Sequence, residues 1–296
     1  MNPNKKNLFI VTSFFVIMVT IACSFTKLIS ARGRKTEIPE EPSLPSLTAK
    51  TAAVVPSGPP YIEQVSGQIN IKSGESGTAS ASCPVGSITL GGGFASGDGM
   101  KITKTMPDDT GWLVGGQNGS DQDLSLTAYA YCLHNDTGNI RVATSDELVS
   151  GGPRAVCVEG EIITGGGYAF ETNTLDVYIS TPNGDSANPG NSWSVMAHNL
   201  QGADQTIQVY ALCLSKSNLT STLVRDENVI YDSADSAVSF TITCPAKAVM
   251  ASGGYEGTGV FINQVNPTDS NRWEVQAHEK IFLDGSLDHA VCLNLP

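Results

Sequence analysis

Three polar side chains recur at one position relative to three tryptophans. Five residues beyond Trp112, Trp193 and Trp273 stand Gln117, His198 and His278, in "WLVGGQ", "WSVMAH" and "WEVQAH". Amide and imidazole groups offer donors and acceptors to a ligand, and an odd offset along a strand turns them to the face opposite the tryptophan. They are the candidate binding residues, either lining a ligand position that recurs in each copy or capping one end of the domain. The competing reading is ordinary polar residues on the solvent face of two-faced strands. No catalytic constellation accompanies them. The chain lacks a GxSxG elbow, an HExxH pair, a P-loop and an EF-hand loop, so no catalytic residue, cofactor or metal is assigned and the reading favours a non-enzyme. His134 and His289 have no counterpart elsewhere in the pattern and carry no signal here. Tyr129, Tyr131, Tyr168, Tyr178, Tyr210 and Tyr255 are the candidates for exposed recognition, while the tryptophans read as core anchors rather than sugar-stacking rings. Asp108/Asp109 and Asp121/Asp123 offer calcium ligands or, more simply, turn residues that bond their own backbone.

The elements that carry these residues form one pattern written three times. A cysteine (Cys83, Cys157, Cys244) is followed eight residues later by Gly91, Gly165 or Ser252, which open "GGGF", "GGGY" and "SGGY". A proline comes next (Pro107, Pro182, Pro267), then the single tryptophan of the copy. A closing cysteine (Cys132, Cys213, Cys292) follows 20, 20 and 19 residues after it. All three tryptophans and six of the seven cysteines are used this way, the mark of an internal repeat. The glycine triplets lack the Lys-Ser/Thr of a phosphate loop and lead into no helical pattern. They read as strand segments kept bare so that another backbone or a bulky ring, the copy's own tryptophan among the candidates, comes close. Alternation in "LSLTAYAYCL" and "TIQVYALCL", and of Trp112 with Val114 or Trp193 with Val195, marks strands. Asn118-Gly119, Gln201-Gly202 and Asp284-Gly285 predict hairpin turns between each tryptophan strand and its closing strand. Four or five strands per copy give twelve to fifteen in all.

Paired cysteines in an exported chain read as disulfides, and the repetition selects Cys83–Cys132, Cys157–Cys213 and Cys244–Cys292 out of the possible connectivities. Zinc has no CxxC or Cys/His cluster to support it.

The N-terminus points to export. Lys5 and Lys6 precede the apolar run "LFIVTSFFVIMVTIAC", the layout of a signal segment. "TIAC" resembles the lipobox of bacterial lipoproteins, which makes Cys23 the lipidation candidate; a cleaved signal and an uncleaved anchor are the alternatives. Each places the body outside the cytoplasm, with membrane contact through residues 1–30 alone. Residues 31–60 hold six of the fifteen prolines and form a tether, and residues 61–296 form the folded domain, with repeats at about 75–135, 150–216 and 236–296. Of 17 basic and 29 acidic residues, seven basic and three acidic precede residue 61, leaving ten and 26, a net of −16 on the domain. That charge repels phosphate backbones and excludes nucleic acid as a partner class.

The unit Cys…Gly-Gly-Gly-aromatic…Pro…Trp-x-Val…Ala-x-Cys-Leu, from about residue 75 to 296, resembles one in a group of exported bacterial proteins that supplies no activity to carry over. More distantly it is similar to the vitelline membrane outer layer proteins. That resemblance implies a β-prism of three Greek-key sheets about a pseudo-threefold axis, an extracellular setting and carbohydrate binding. The copies here are longer, with opening cysteines 74 and 87 residues apart, and no sugar-binding residue transfers. The expected fold is therefore an all-β, pseudo-threefold, three-repeat domain of β-prism type, with a β-trefoil or another β-sandwich as the alternative. The expected function is a surface-anchored or secreted binding or structural module for carbohydrate or envelope polymer. A glycan hydrolase and a purely structural assembly protein are the rivals.

Overall fold

A computed structural model describes residues 58–296 except 172–173, 185–188, 201, 203, 216, 227–236, 257–259, 270 and 280–286. The apolar run, Cys23 and the tether up to residue 57 lie outside the described residues. Eighteen strands follow one another in chain order. The first six are β1 (Tyr61–Ile71), β2 (Ser76–Ser82), β3 (Ile88–Ser96), β4 (Met100–Pro107), β5 (Gly111–Asn118) and β6 (Leu124–His134). Next come β7 (Asn139–Leu148), β8 (Arg154–Val156), β9 (Ile162–Ala169), β10 (Leu175–Gly184), β11 (Pro189–Asn199) and β12 (Thr206–Ser215). The last six are β13 (Thr220–Asp226), β14 (Ala237–Thr243), β15 (Ala248–Glu256), β16 (Val260–Asp269), β17 (Arg272–Glu279) and β18 (Leu287–Asn294). Three more strands exist than the pattern predicts: β1, β7 and β13. They are sheet edges, and β1 and β7 are largely solvent-exposed; "NIRVATSDEL" shows little apolar alternation, whereas in "YIEQVSGQINI" Val65, Ile69 and Ile71 alternate with polar residues.

The strands build three open antiparallel sheets of six. Sheet A runs β1-β6-β3-β16-β17-β14, sheet B runs β7-β12-β9-β4-β5-β2, and sheet C runs β13-β18-β15-β10-β11-β8. Each group of six consecutive strands therefore puts three strands into one sheet and three into the next. Every sheet is half from one group and half from another. The joints are short: Phe94 and Ala95 pair with Val265 and Gln264, Tyr168 and Ala169 with Thr105 and Lys104, Tyr255 and Glu256 with Ser180 and Ile179.

This topology corrects the predicted tryptophan hairpins. The tryptophan strand pairs with the proline strand before it, Pro107 opposite Trp112 and Pro182 opposite Trp193, while β5 and β6 belong to different sheets. Asn118-Gly119 is a corner between sheets, and neither residue has a positive φ. The buried Asn118 side chain holds the corner, donating to the Ile71 and Gln122 carbonyls at 3.0 and 2.7 Å and accepting from the Ser120 amide at 2.9 Å. A polar dipeptide between two alternating runs looks the same in a hairpin and in a corner.

The glycine triplets explain why the sheets can meet. A Cβ on Gly92 would stand 2.2 Å from Trp112 Cγ, one on Gly166 2.3 Å from Trp193 Cδ2, and one on Gly253 2.2 Å from Trp273 Cε2. Each indole, fully buried, thus lies flat on the bare middle glycine of a neighbouring sheet. The third glycine admits the carbonyl of the strand across the joint: Val265 O, Thr105 O and Ser180 O would be 2.1, 2.0 and 2.4 Å from a Cβ on Gly93, Gly167 and Gly254. The first positions converge on each other. A Cβ on Gly91 would lie 2.6 Å from Ser252 Cβ, and one on Gly165 would lie 2.8 Å from Gly91 Cα. Ser252 Oγ donates to the Thr164 carbonyl at 2.6 Å, and Thr164 Oγ1 donates to the Leu90 carbonyl at 2.8 Å.

The three disulfides form as the repetition indicates: Cys83–Cys132, Cys157–Cys213 and Cys244–Cys292. Each opening cysteine immediately follows the end of β2, β8 or β14, and each closing cysteine lies in β6, β12 or β18. The bridges therefore link sheet B to A, C to B, and A to C. In the loop-entropy account each is worth about 4 kcal/mol.

Two indole N–H groups are satisfied. Trp112 Nε1 donates to Thr105 Oγ1 at 2.8 Å and Trp193 Nε1 to Ser180 Oγ at 3.0 Å. Thr105 and Ser180 stand at the joints opposite Tyr168 and Tyr255; the corresponding residue of β16, opposite Phe94, is Val265, and Trp273 Nε1 is buried without a hydrogen-bond partner among the described residues.

Two outcomes follow from this packing. Gly166→Val should lower the unfolding free energy by about 3 kcal/mol or more, measured by denaturant titration, because the indole beneath it has no room to retreat. Val265→Thr should raise it by about 1 kcal/mol by giving Trp273 its acceptor, and unchanged stability would contradict the assignment.

Candidate functional site on the face of sheet B

A trough of about 980 Å³ lies on sheet B. Local sequence explains its depth. Gly115 and Gly116 leave two consecutive positions of β5 without side chains, where β11 has Met196 and Ala197 and β17 has Gln276 and Ala277. The stem of Lys104, from the paired strand β4, lies across Gly115, with its carbons 2.5 to 3.1 Å from where a Cβ would stand. Around this floor are Gln117, Asp146, Glu171 and Gln208, with the largely buried rings of Tyr210 and Phe170 bordering it. The Tyr210 hydroxyl donates to Gln208 Oε1, and burial, aided by the Asp146 charge, raises its pKa. Gln205 Nε2 donates to Thr174 Oγ1 at one end. Amides, hydroxyls, one ammonium and two carboxylates beside two rings suit a polyhydroxylated ligand, whose hydroxyls both donate and accept.

Gln117 is the one recurrent polar residue that lines this trough; it is half-buried on β5, opposite Lys101 and Ser76. His198 is on β11 in sheet C, exposed, opposite Asp176, with its ring stacked on Tyr178 at 4.3 Å. His278 is on β17 in sheet A opposite Phe261 and Ala237, and its side chain lies outside the described residues. The three thus stand one to a sheet. Lys101 and Asp176 sit beside Gln117 and His198 in register. Burial lowers the Lys101 pKa against the pull of Asp176, and raises the Asp176 pKa against the pull of Lys101 and His198.

Other candidates are redistributed. Tyr131, Tyr168, Tyr210 and Tyr255 are buried, a correction to their reading as exposed recognition groups, although Tyr210 still borders the trough; Tyr168 and Tyr255 meet hydroxyl to hydroxyl at 3.3 Å. They follow or face the glycine triplets, where a ring is needed to fill the joint between sheets. Asp108 serves its turn, its Oδ1 accepting from the Thr110 amide at 2.9 Å. Cys157, Cys213 and Glu161 cluster closely, but the two sulfurs are bonded to each other and Glu161 is engaged by Arg141 at 2.6 Å.

His289 was without signal in the sequence and is the unexpected residue. It is 1% exposed, neither ring nitrogen has a hydrogen-bond partner among the described residues, and Nε2 stands 3.9 Å from Glu256 Oε2. Burial and the Arg225 charge push its pKa down to about 4. The register reveals what the sequence could have shown: His289 occupies the position of Tyr129 and Tyr210, each paired with the third glycine of its triplet.

No known protein family matches the chain, and no curated protein matches it in sequence.

A pH dependence follows from His289. Its folded pKa is depressed, so the unfolded chain takes up its proton first as pH falls, through the ordinary value near 6.5. Stability should be full above about pH 6.5 and fall by roughly 3 kcal/mol by about pH 4 on this account alone. Arg225, Arg154 and Glu256 are the charged groups around the same cavity. Unfolding measured across this range in wild type and in His289→Tyr should differ by that slope. Parallel curves would remove His289 as the cause.

Proposed function

We propose that the protein is an exported, non-catalytic binding module, secreted or held at the membrane through its N-terminus, and that its sheet B trough takes carbohydrate or another polyhydroxylated envelope polymer. In this reading the domain is a pseudo-threefold, three-repeat β-prism, lipidation at Cys23 being one route to anchoring. The trough carries the proposal: it is large, open and lined by amides, hydroxyls and carboxylates beside Tyr210 and Phe170. The cyclic sharing of strands among three sheets is consistent with the β-prism, and three disulfides suit an oxidising compartment. Fold analogy contributes the ligand class only as a prior.

A second reading is favoured by one observation, the presence of both Asp146 and Glu171 in the trough. Two carboxylates flanking a bound glycan are the equipment of a glycoside hydrolase.

A glycan array probed with the full chain tests both. Wild type should bind at least one polysaccharide, and Gly115→Met, which installs the residue found at that place in β11, should reduce binding tenfold or more by filling the floor. Binding without release of reducing ends supports the module. Release that disappears in Glu171→Gln would replace it with the hydrolase, and absence of any glycan binding would leave a structural assembly role.

A further inference from the structure

The outer face of sheet C departs from its counterparts at three positions that face one another. Where β6 and β12 carry Tyr129 and Tyr210, β18 carries His289. Where the edge strands opposite them carry Ser66 and Thr144, β13 carries Arg225. Two residues beyond the third glycine, Ala95 and Ala169 are replaced by Glu256.

These three residues line a cavity of about 400 Å³, and Arg154 of β8 lines it too. Its size falls within the range of small-molecule sites. The domain is strongly acidic, with ten basic residues against 26 acidic ones, yet among the described residues two of those ten line one cavity with one carboxylate, Glu256. Arg225 Nη2 is 3.6 Å from Glu256 Oε2, longer than a charge-assisted hydrogen bond. His289 brings two buried ring nitrogens without a hydrogen-bond partner to the same place. A buried polar atom with no partner is a rarity that needs an explanation, and beside two guanidinium groups at a cavity a bound anion supplies one.

We propose that this cavity is a binding site for an oxyanion, a carboxylate or sulfate group, with Arg225 and Arg154 supplying the charge and His289 a hydrogen bond. A guanidinium presents paired donors that match two oxygens of such a group, and a neutral imidazole donates through one nitrogen. The oxyanion is free in solution or borne on an acidic sugar. The site is separate from the sheet B trough and stands whether or not that trough binds glycans.

Calorimetric titration of the full-length protein at pH 7 with sodium sulfate, sodium glucuronate and glucose tests the site. At least one anion should bind and glucose should not. Equal binding of both anions assigns a free oxyanion, and tighter glucuronate assigns a sugar acid. Affinity should fall tenfold or more in Arg225→Gln and in His289→Tyr, and should persist in Lys72→Gln, which removes an exposed positive charge elsewhere. In wild type the His289 ring resonances should shift on addition of the bound anion, a readout that needs no variant. Failure of both anions to bind, or unchanged affinity in both cavity variants, would overturn the proposal, as would ring resonances that stay still while an anion binds.

Discussion

The contact between an indole face and a glycine Cα decides how the three sheets can approach one another. A tryptophan is the largest side chain available, and it buries most surface when its face meets a flat partner. A glycine in a strand provides that flat partner, at the expense of a backbone that gains no side-chain packing of its own. Trp112 on Gly92, Trp193 on Gly166 and Trp273 on Gly253 repeat this bargain across three sheet boundaries. The neighbouring glycines then become necessary too. With the sheets this close, the third glycine must admit a carbonyl from across the joint, and the first must stand within van der Waals reach of its equivalents. A triplet is needed because three different approaches happen at three consecutive residues.

Much of this was legible in the chain. Composition and alternation indicate the all-β class, repetition indicates the disulfide pairing, and the bare glycines leave room for another backbone or a ring, the tryptophan among the candidates. What spacing could not show was which strands belong to the same sheet. Period-two alternation reports which face of a strand is buried and says nothing about its neighbours. Asn118 therefore looked like a hairpin residue, whereas its buried amide in fact pins a corner. The strand β7 is hard to read for a related reason: as an edge exposed to solvent it buries too few residues to alternate, whereas β1 alternates from Val65 to Ile71.

The candidate sites divide the same way. Gln117 stands out in the sequence because its position recurs, and it is among the residues lining the sheet B trough. The trough itself comes from Gly115 and Gly116, a loss of side chains that recurrence cannot highlight because the other copies carry Met196-Ala197 and Gln276-Ala277. His289 was passed over for having no counterpart. In a repeated architecture, the residue that breaks the pattern is as informative as the one that keeps it, provided the register is known. Here the register places His289, Arg225 and Glu256 together from three strands.

The joint between β3 and β16 has a consequence for how the domain comes into being. It pairs Phe94 with Val265 and Ala95 with Gln264, uniting the first group of strands with the last. A chain folding from its N-terminal side has β1, β3 and β6 available early, but half a sheet exposes an apolar face and an unpaired edge. Sheet A remains unfinished until β16, β17 and β14 are delivered, nearly the whole domain later. Pairings this distant in sequence close slowly, and partly formed sheets are prone to wrong partners in the meantime. The cysteines temper the hazard, because Cys83 and Cys132 both lie within the first group and can bond before the rest arrives. Maturation would then proceed as a succession of locally secured halves, each waiting for its neighbour, with the final strands acting as the latch.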